Sequence, residues 1–393
     1  MSFVNKPLTD IMDCTRDSTA TYVDATGKIR TAGVNEPRID YSSGQGRLLV
    51  EEQRTNLLTN SENLDSWSKT NTAVLQNQVV APDGTLTADK LVALDDALSV
   101  IRRVNRGVTF IVGSVYTFTV FVKAAEYSIV RMESGNPSGA TIFNLATKQV
   151  LSQSTTHTTV SISEEGSGWF RCSVTFTATA TNGVFFLYGQ PTSNSSFIGD
   201  GTSGIYIWGA QVEEASTPSS YIPTEASAVT RAADIVSRVL GDEFNNDEFS
   251  LFAEGWAVIP RSGTSSSLGV LTSANGTTAE LANLRINSSA FVLEYRSNNE
   301  FLSSSGIPHS LPPDSTQYLK MIISGNKDRA FLVVNGVKSS DYVGGVVPTF
   351  SEVYIGARRA TGLGGDKKQV AITKFKVYPK ALSEQECIQL TKV

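Results

Sequence analysis

The 393 residues include 33 Lys and Arg against 38 Asp and Glu, a formal charge of −5, and are 40% hydrophobic but only 18% charged. A chain of this size can bury two or three cores, and with no basic run to neutralise phosphates it is not expected to bind nucleic acid. No apolar run approaches the ~20 residues of a membrane span and no charged leader precedes an apolar core, so membrane insertion is not expected and synthesis in a cytoplasm is.

Cys14, Cys172 and Cys387 are odd in number and far apart, with neither a disulfide framework nor metal-ligand spacing. Within a lead-in of residues 1–55, residues 22–32 read as a hairpin around Ala25-Thr26-Gly27. Residues 115–123 place Tyr116, Phe118, Val120 and Val122 on one face and Thr117 and Thr119 on the other, the alternation of a half-buried strand. Residues 170–177 repeat it, with Phe170, Cys172, Val174 and Phe176 inward and Arg171, Ser173, Thr175 and Thr177 opposite. Shorter runs at 127–132, 184–188 and 205–212 are separated by Gly, Asn, Ser and Pro.

A second series follows Pro218 and Pro223, with strands predicted at 249–259, 284–286, 291–295, 318–324, 330–339, 353–358 and 370–378. Asn335-Gly336 sits between apolar runs, as a type I′ hairpin turn requires. The end looks helical: Ser383-Glu384-Gln385-Glu386 is a capping box, with Ile388 and Leu390 to face a sheet. The expectation is therefore an all-β protein of two β-sandwich (jelly-roll) domains with a short β-hairpin lead-in and a single C-terminal helix. The expected division is a lead-in at 1–55, a first sandwich at 56–225 and a second at 226–393.

Several segments resemble proteins of one kind. STATYVDATGKIRTAGVNEPRIDYSSGQGRLLVEEQRTNLL (18–58) and IYIWGAQVEEASTPSSYIPTEASAVTRAAD (205–234) are similar to stretches in tail fibres, tail spikes and other surface proteins of tailed bacteriophages. LLTNSENLDSW, GWFRCSVTFT and YIWGAQVE resemble strands of carbohydrate-binding-module-like jelly rolls. FLVVNGVK, VYIGAR and TKFKVYPKALSEQECIQL resemble the concanavalin or laminin G-like sandwich. Arg16-Asp17-Ser18 departs from related lead-ins, which more often have Ala in the middle.

The resemblance implies a non-enzymatic structural protein on the virion surface, a tail fibre or adhesin contacting host-surface polysaccharide. Its implied partners are other virion proteins and copies of itself, as a trimer, with the lead-in at 1–55 serving virion anchoring or subunit contact. A capsid or tail decoration protein is the first alternative and a glycan-degrading enzyme the second.

The residues offer little for turnover. Glycosidases set two carboxylates across the bond, but Glu213-Glu214, Asp95-Asp96 and Glu164-Glu165 read as solvated loop charge, Glu213 and Glu214 pointing to opposite faces. His157 and His309 read as surface loop residues, and a Ser-His-Asp arrangement has no nucleophile-elbow motif behind it. Gly362-Leu363-Gly364-Gly365 precedes a strand and reads as a hairpin loop rather than a phosphate cradle. No cofactor is expected. Sandwiches of both kinds often hold a structural calcium, for which Asp83, Asp95, Asp96, Asp200 and Asp366 are loop candidates without an alternating ligand run.

Sugar binding needs aromatic faces ringed by hydrogen-bonding groups. Trp169 and Trp208 read as core, and Trp67 as structural first and a stacking group second. Residues 184–188 are apolar on both faces, so Phe186 and Tyr188 on one of them need a cover, a neighbouring domain or subunit first and a glycan second. Tyr127 and Tyr342 are further candidates for exposed stacking.

Overall fold

A computed structural model describes residues 12–393 except 96–97, 195, 243, 274–279, 299, 304–305, 345–346 and 357–368. The chain is all-β, with the single α-helix Glu384–Thr391 at its end and one 3-10 turn at Leu64–Ser66 among the described residues. It divides into two compact units, each drawn from separated segments: Ala20–Thr31 with Arg54–Arg231, and the chain before Ala20 with Ala32–Gln53 and Ala232–Val393.

The unit built around Arg54–Arg231 is a sandwich of two six-stranded antiparallel sheets. One runs in the order Gln149–Ser152, Ser138–Asn144, Ile129–Gly135, Asn182–Gln190, Arg103–Thr109, Ser68–Thr70. The other runs His157–Glu164, Trp169–Thr177, Val115–Ala124, Gly204–Glu213, Ala88–Ala93, Thr72–Val79. Side chains alternate across each strand, so Phe118, Val120, Cys172, Val174, Phe176, Phe185 and Leu187 meet between the sheets. Burying such side chains stabilises by about 1.5–3 kcal/mol each.

The Val115–Ala124 strand corrects the half-buried expectation, because its second face is covered too. Thr117 and Thr119 are fully buried there, and Phe121 joins Trp169, Trp208 and Tyr221 in a second apolar cluster. Ile29 of the Ala20–Val23/Ile29–Ala32 hairpin closes this cluster. That hairpin turns through Gly27 at φ +78°, with the Asp24 carboxylate accepting from the Thr26 and Lys28 N–H groups.

The other unit is also two sheets face to face. One contains Ile235–Val239, Glu352–Ile355, Ser266–Thr272, Leu281–Ile286 and Ala290–Ser297, the other Arg329–Val334, Thr316–Asn326, Glu248–Val258 and Val370–Tyr378. Phe249, Leu251, Ala253, Leu284, Leu293, Met321, Ile323 and Leu332 fill the space between them.

The described residues of the expected lead-in, 12–55, do not stand apart from the sandwiches. Asp13–Thr15 pairs with Ile235–Ser237 at one sheet edge, and Arg47–Val50 pairs with Val370–Ile372 in the other sheet. Leu48, Leu49 and Val50 are all buried; three consecutive apolar residues project to both faces of a strand and need cover on both.

The expected turn and cap are in place. Asn335 and Gly336 have φ of +48° and +83°, and Val334 faces Val337 across the turn. Ser383 N–H donates to the Glu386 carboxylate at 2.8 Å while Glu386 N–H donates to the Ser383 hydroxyl at 3.3 Å. The helix meets the sheet through Cys387, Ile388 and Thr391. Leu390 is 37% exposed and turned away, since residues four apart share a helix face and 387/391 is the buried pair.

Candidate functional site

The Asn182–Gln190 strand alternates Phe185 and Leu187 inward with Phe186 and Tyr188 outward. Register then places partners on either side. Phe186 faces Asn105 on one neighbouring strand and Glu133 on the other, while Tyr188 faces Arg131. Val104 pairs with Leu187, which brings Arg103 beside Tyr188. Two rows result, Asn105–Phe186–Glu133 and Arg103–Tyr188–Arg131, at the spacing where cross-strand side chains touch.

The cover over this strand is its own sheet. The Arg103 guanidinium lies 3.9 Å from the Phe186 ring centroid, and Arg131 sits 5.6 Å from that of Tyr188, both within reach of cation–π attraction. Arg103 Nη1 donates to the Tyr188 hydroxyl at 2.9 Å, and that hydroxyl donates to Glu133 Oε2 at 2.8 Å. Arg131 Nε reaches the same carboxylate oxygen at 3.3 Å. Burial raises the Tyr188 pKa, and the Glu133 acceptor raises it further, so the phenol keeps its proton. Tyr188 is only 2% exposed, whereas Phe186, Asn105, Arg103, Arg131 and Glu133 are half-buried and border open sheet surface. A neighbouring pocket lined by Thr72, Ala93, Arg102, Arg103 and Leu187 has a volume of about 10 Å³, room for one water and no sugar.

Three other expected stacking residues are placed elsewhere. Trp67 is 2% exposed in the core between the sheets, its indole N–H donating to the Asn60 carbonyl at 3.2 Å. Tyr127 is buried edge-on against Phe197 at 5.7 Å. Tyr342 is half-buried with its ring 5.5 Å from that of Tyr295. Only Phe186 and Tyr188 share one cluster.

A second aromatic face lies on the Glu248–Val258 strand of the other unit. Trp256 and Tyr318 pair at 4.6 Å, Arg47 lies 4.6 Å over the Trp256 ring, and the Tyr318 hydroxyl donates to Glu254 at 2.5 Å. Burial pushes the Glu254 carboxyl up, but Tyr318 and Lys374 outweigh it and hold it below the usual range. The sequence signal for this face is the alternation Phe252, Glu254, Trp256 opposite Leu251, Ala253 and Ala257, which sets two aromatics and one acid on that side, Phe252 being covered by Leu382 and Cys387.

Buried polar groups correct three sequence expectations. Glu213 is fully buried, its carboxylate accepting from Ser219 N–H and Oγ at 2.8 and 2.7 Å, because the chain turns back over the strand end. Glu214 beside it is exposed. His157 is 1% exposed between Ser134 Oγ at 2.9 Å and Thr141 Oγ at 2.7 Å. Ser134 gives its proton to the Pro137 carbonyl at 2.7 Å, so Nε2 of His157 donates to Ser134 and Nδ1 accepts from Thr141. Burial lowers this imidazole to about 4. The Ser–His pair thus has a hydroxyl where a triad has a carboxylate, and its serine is buried with its proton already committed. His309 is half-buried rather than free, 4.6 Å from the Phe291 ring.

The third is Arg16. Its Nη1 donates to Asp234 at 2.8 Å and its other nitrogens to the Ser18, Gly33 and Glu36 carbonyls. Arg38 bridges Glu51 at 2.7 Å and Asp234, and all four charged side chains are 0–1% exposed. Burial pulls Arg38 down, but Glu51 and Asp234 overcome it and raise the guanidinium above its ordinary value. This clasp fastens the segments at 16, 38, 51 and 234 within one unit.

Among the described residues no group of three or more His, Cys, Asp or Glu is placed to hold a metal. Asp83 and Asp200 accept from their own turns, at Thr85 and at Thr202 and Ser203. Asp96, Asp366 and the 362–365 glycine run lie outside the described residues.

No family model and no curated protein sequence matches the chain. Among solved structures it is similar to the CBM40 of the Ruminococcus gnavus IT-sialidase bound to α2,3-sialyllactose, at 15% identity and TM-score 0.31, over 37% of this chain and 84% of that one. It is similar to a botulinum neurotoxin type C structure whose cell entry depends on two ganglioside molecules, at 14% identity and TM-score 0.32, over 40% of this chain and 39% of that one. The binding domain of Paraclostridial Mosquitocidal Protein 1 is similar at 15% identity and TM-score 0.28, over 40% of this chain and 43% of that one.

Proposed function

We propose that this is a non-enzymatic surface protein of a tailed bacteriophage, a tail-fibre or adhesin component that binds host-surface glycan through the open face around Phe186. The observation that carries the glycan reading is the pre-arranged row of Arg103, Tyr188, Glu133 and Arg131 beside half-exposed Phe186. Rigid polar groups around an apolar ring suit a pyranose, whose C–H patch is ringed by hydroxyls. The virion assignment rests on the likeness of residues 18–58 and 205–234 to phage surface proteins. Support for a binding rather than cleaving role comes from the single carboxylate in the cluster, Glu133, one oxygen of which is held by Tyr188 and Arg131; a glycosidase needs two carboxylates across the bond.

Two measurements test this. Phe186→Ala should lower binding on an array of bacterial surface polysaccharides while leaving the fold intact, and antibody-gold labelling should decorate tail structures of intact particles. Particle labelling without glycan binding would replace the adhesin reading with a decoration protein. Release of reducing ends from a bound polysaccharide would overturn the non-enzymatic assignment.

A further inference from the structure

We propose that the glycan bound at this face carries a carboxylate. The inference rests on the glycan reading above and names its ligand class from the charges on the sheet. Arg103 and Arg131 flank Tyr188 and meet one carboxylate, Glu133, so the cluster holds an excess of one positive charge. Arg103 uses Nη1 on Tyr188, and Arg131 uses Nε on Glu133. Among the described residues, Nη2 of Arg103 and both terminal nitrogens of Arg131 donate to no protein acceptor. These are donors in a rigid, permanently charged fork on a half-open surface.

Glu133 does not cancel the attraction. Both of its cluster bonds fall on Oε2, from Tyr188 at 2.8 Å and Arg131 at 3.3 Å, leaving Oε1 to accept a sugar hydroxyl. Tyr188 is fixed as donor to Glu133 and acceptor from Arg103, which holds the Arg103 guanidinium, while Glu133 holds that of Arg131. Guanidinium prefers a planar two-oxygen acid because two parallel N–H bonds can form at once. Phe186 offers the apolar patch for the ring, and Asn105 in its row supplies an amide. The hydroxyls of a neutral sugar can accept from these nitrogens but leave the surplus positive charge without a counter-charge; a uronic or other sugar acid supplies both the charge and the planar two-oxygen acceptor.

The test prints acidic bacterial polysaccharides beside their carboxyl-reduced forms, in which the acid has become a primary alcohol, together with sulfated polymers. The full-length chain, Arg131→Gln and Arg103→Gln are compared, with circular dichroism to verify folding. The wild type should bind at least one acidic member about tenfold tighter than its reduced form, the value of one charge-assisted pair. Arg131→Gln, on a half-exposed side chain, should lose that preference, its affinity for the acidic form falling to that for the reduced form. Equal binding of acidic and reduced forms would overturn this inference and leave the glycan reading standing. Binding to no glycan would overturn both. A preference for sulfated over carboxylated polymers, or one unchanged in both arginine variants, would also defeat it.

Discussion

Asp234 is the hinge of the buried clasp, and its removal is the sharpest test of how the N-terminal segment is held. Its carboxylate accepts from Arg16 at 2.8 Å, from Arg38, and from Glu51 N–H at 2.8 Å. In Asp234→Ala, Arg16 retains three carbonyl acceptors and Arg38 retains Glu51, but two guanidiniums at 0% exposure face one carboxylate. Breaking a buried pair from one side costs about 3–5 kcal/mol. For a unit of this size that corresponds to a fall of about 6–20 °C in the unfolding temperature.

Urea is the appropriate denaturant, because guanidinium chloride would screen the interaction under study. Hydrogen exchange read on peptides from Glu248–Val258 reports the unit that contains the clasp. Arg16→Met added to Asp234→Ala should recover part of the loss, since it removes a charge left without its partner. A loss below about 1 kcal/mol would refute the reasoning, because only solvated ion pairs are worth so little.

Two further outcomes follow from buried titratable groups and one from packing. Burial raises Asp89 from 3.8 to about 6, so the native state binds its proton more tightly and stability falls as pH rises from 4 to 6. His157 is shifted the other way, from 6.5 to about 4, so its contribution is present above 6.5 and lost as pH falls through 4. Each shift is worth about 3 kcal/mol, and the slopes oppose one another. Urea melts should be nearly flat between pH 4 and 6 for the wild type, rise with pH in Asp89→Asn, and fall with pH in His157→Gln; a flat profile in either variant would contradict the assignment. Trp67→Ala should destabilise its sandwich by about 3–5 kcal/mol, as core aromatics do, whereas a tryptophan serving as a surface platform would leave the melting temperature unchanged.

The sandwiches, the type I′ turn and the helix cap were legible because each depends on local pattern: alternation in 115–123 and 170–177, Asn335-Gly336, and Ser383 with Glu386. The route of the first 55 residues was not. Strand 47–50 finds its partner at 370–372, more than 300 residues away, and alternation says that a strand exists without saying which edge it joins. Solvation was misread for the same reason. Glu213 and His157 lie in polar neighbourhoods of the sequence, yet remote hydroxyls bury and satisfy them. At the candidate site, strand 184–188 showed that a cover was required. The cover's identity, arginines at 103 and 131, depended on strand order that no single-strand pattern encodes.

The pairing of Arg47–Val50 with Val370–Ile372 has a consequence for biosynthesis. A ribosome that has made residues 12–55 has released two strands, Asp13–Thr15 and Arg47–Val50, whose partners at 235–237 and 370–372 are not yet translated, so this sandwich cannot close until residue 372 has been made. The segment 54–231, by contrast, holds both of its own sheets and can collapse while the remainder is still emerging. The early strands must therefore wait with Leu48, Leu49 and Val50 uncovered, and a prematurely terminated product leaves them so for good. Such products should be the species that aggregate during expression.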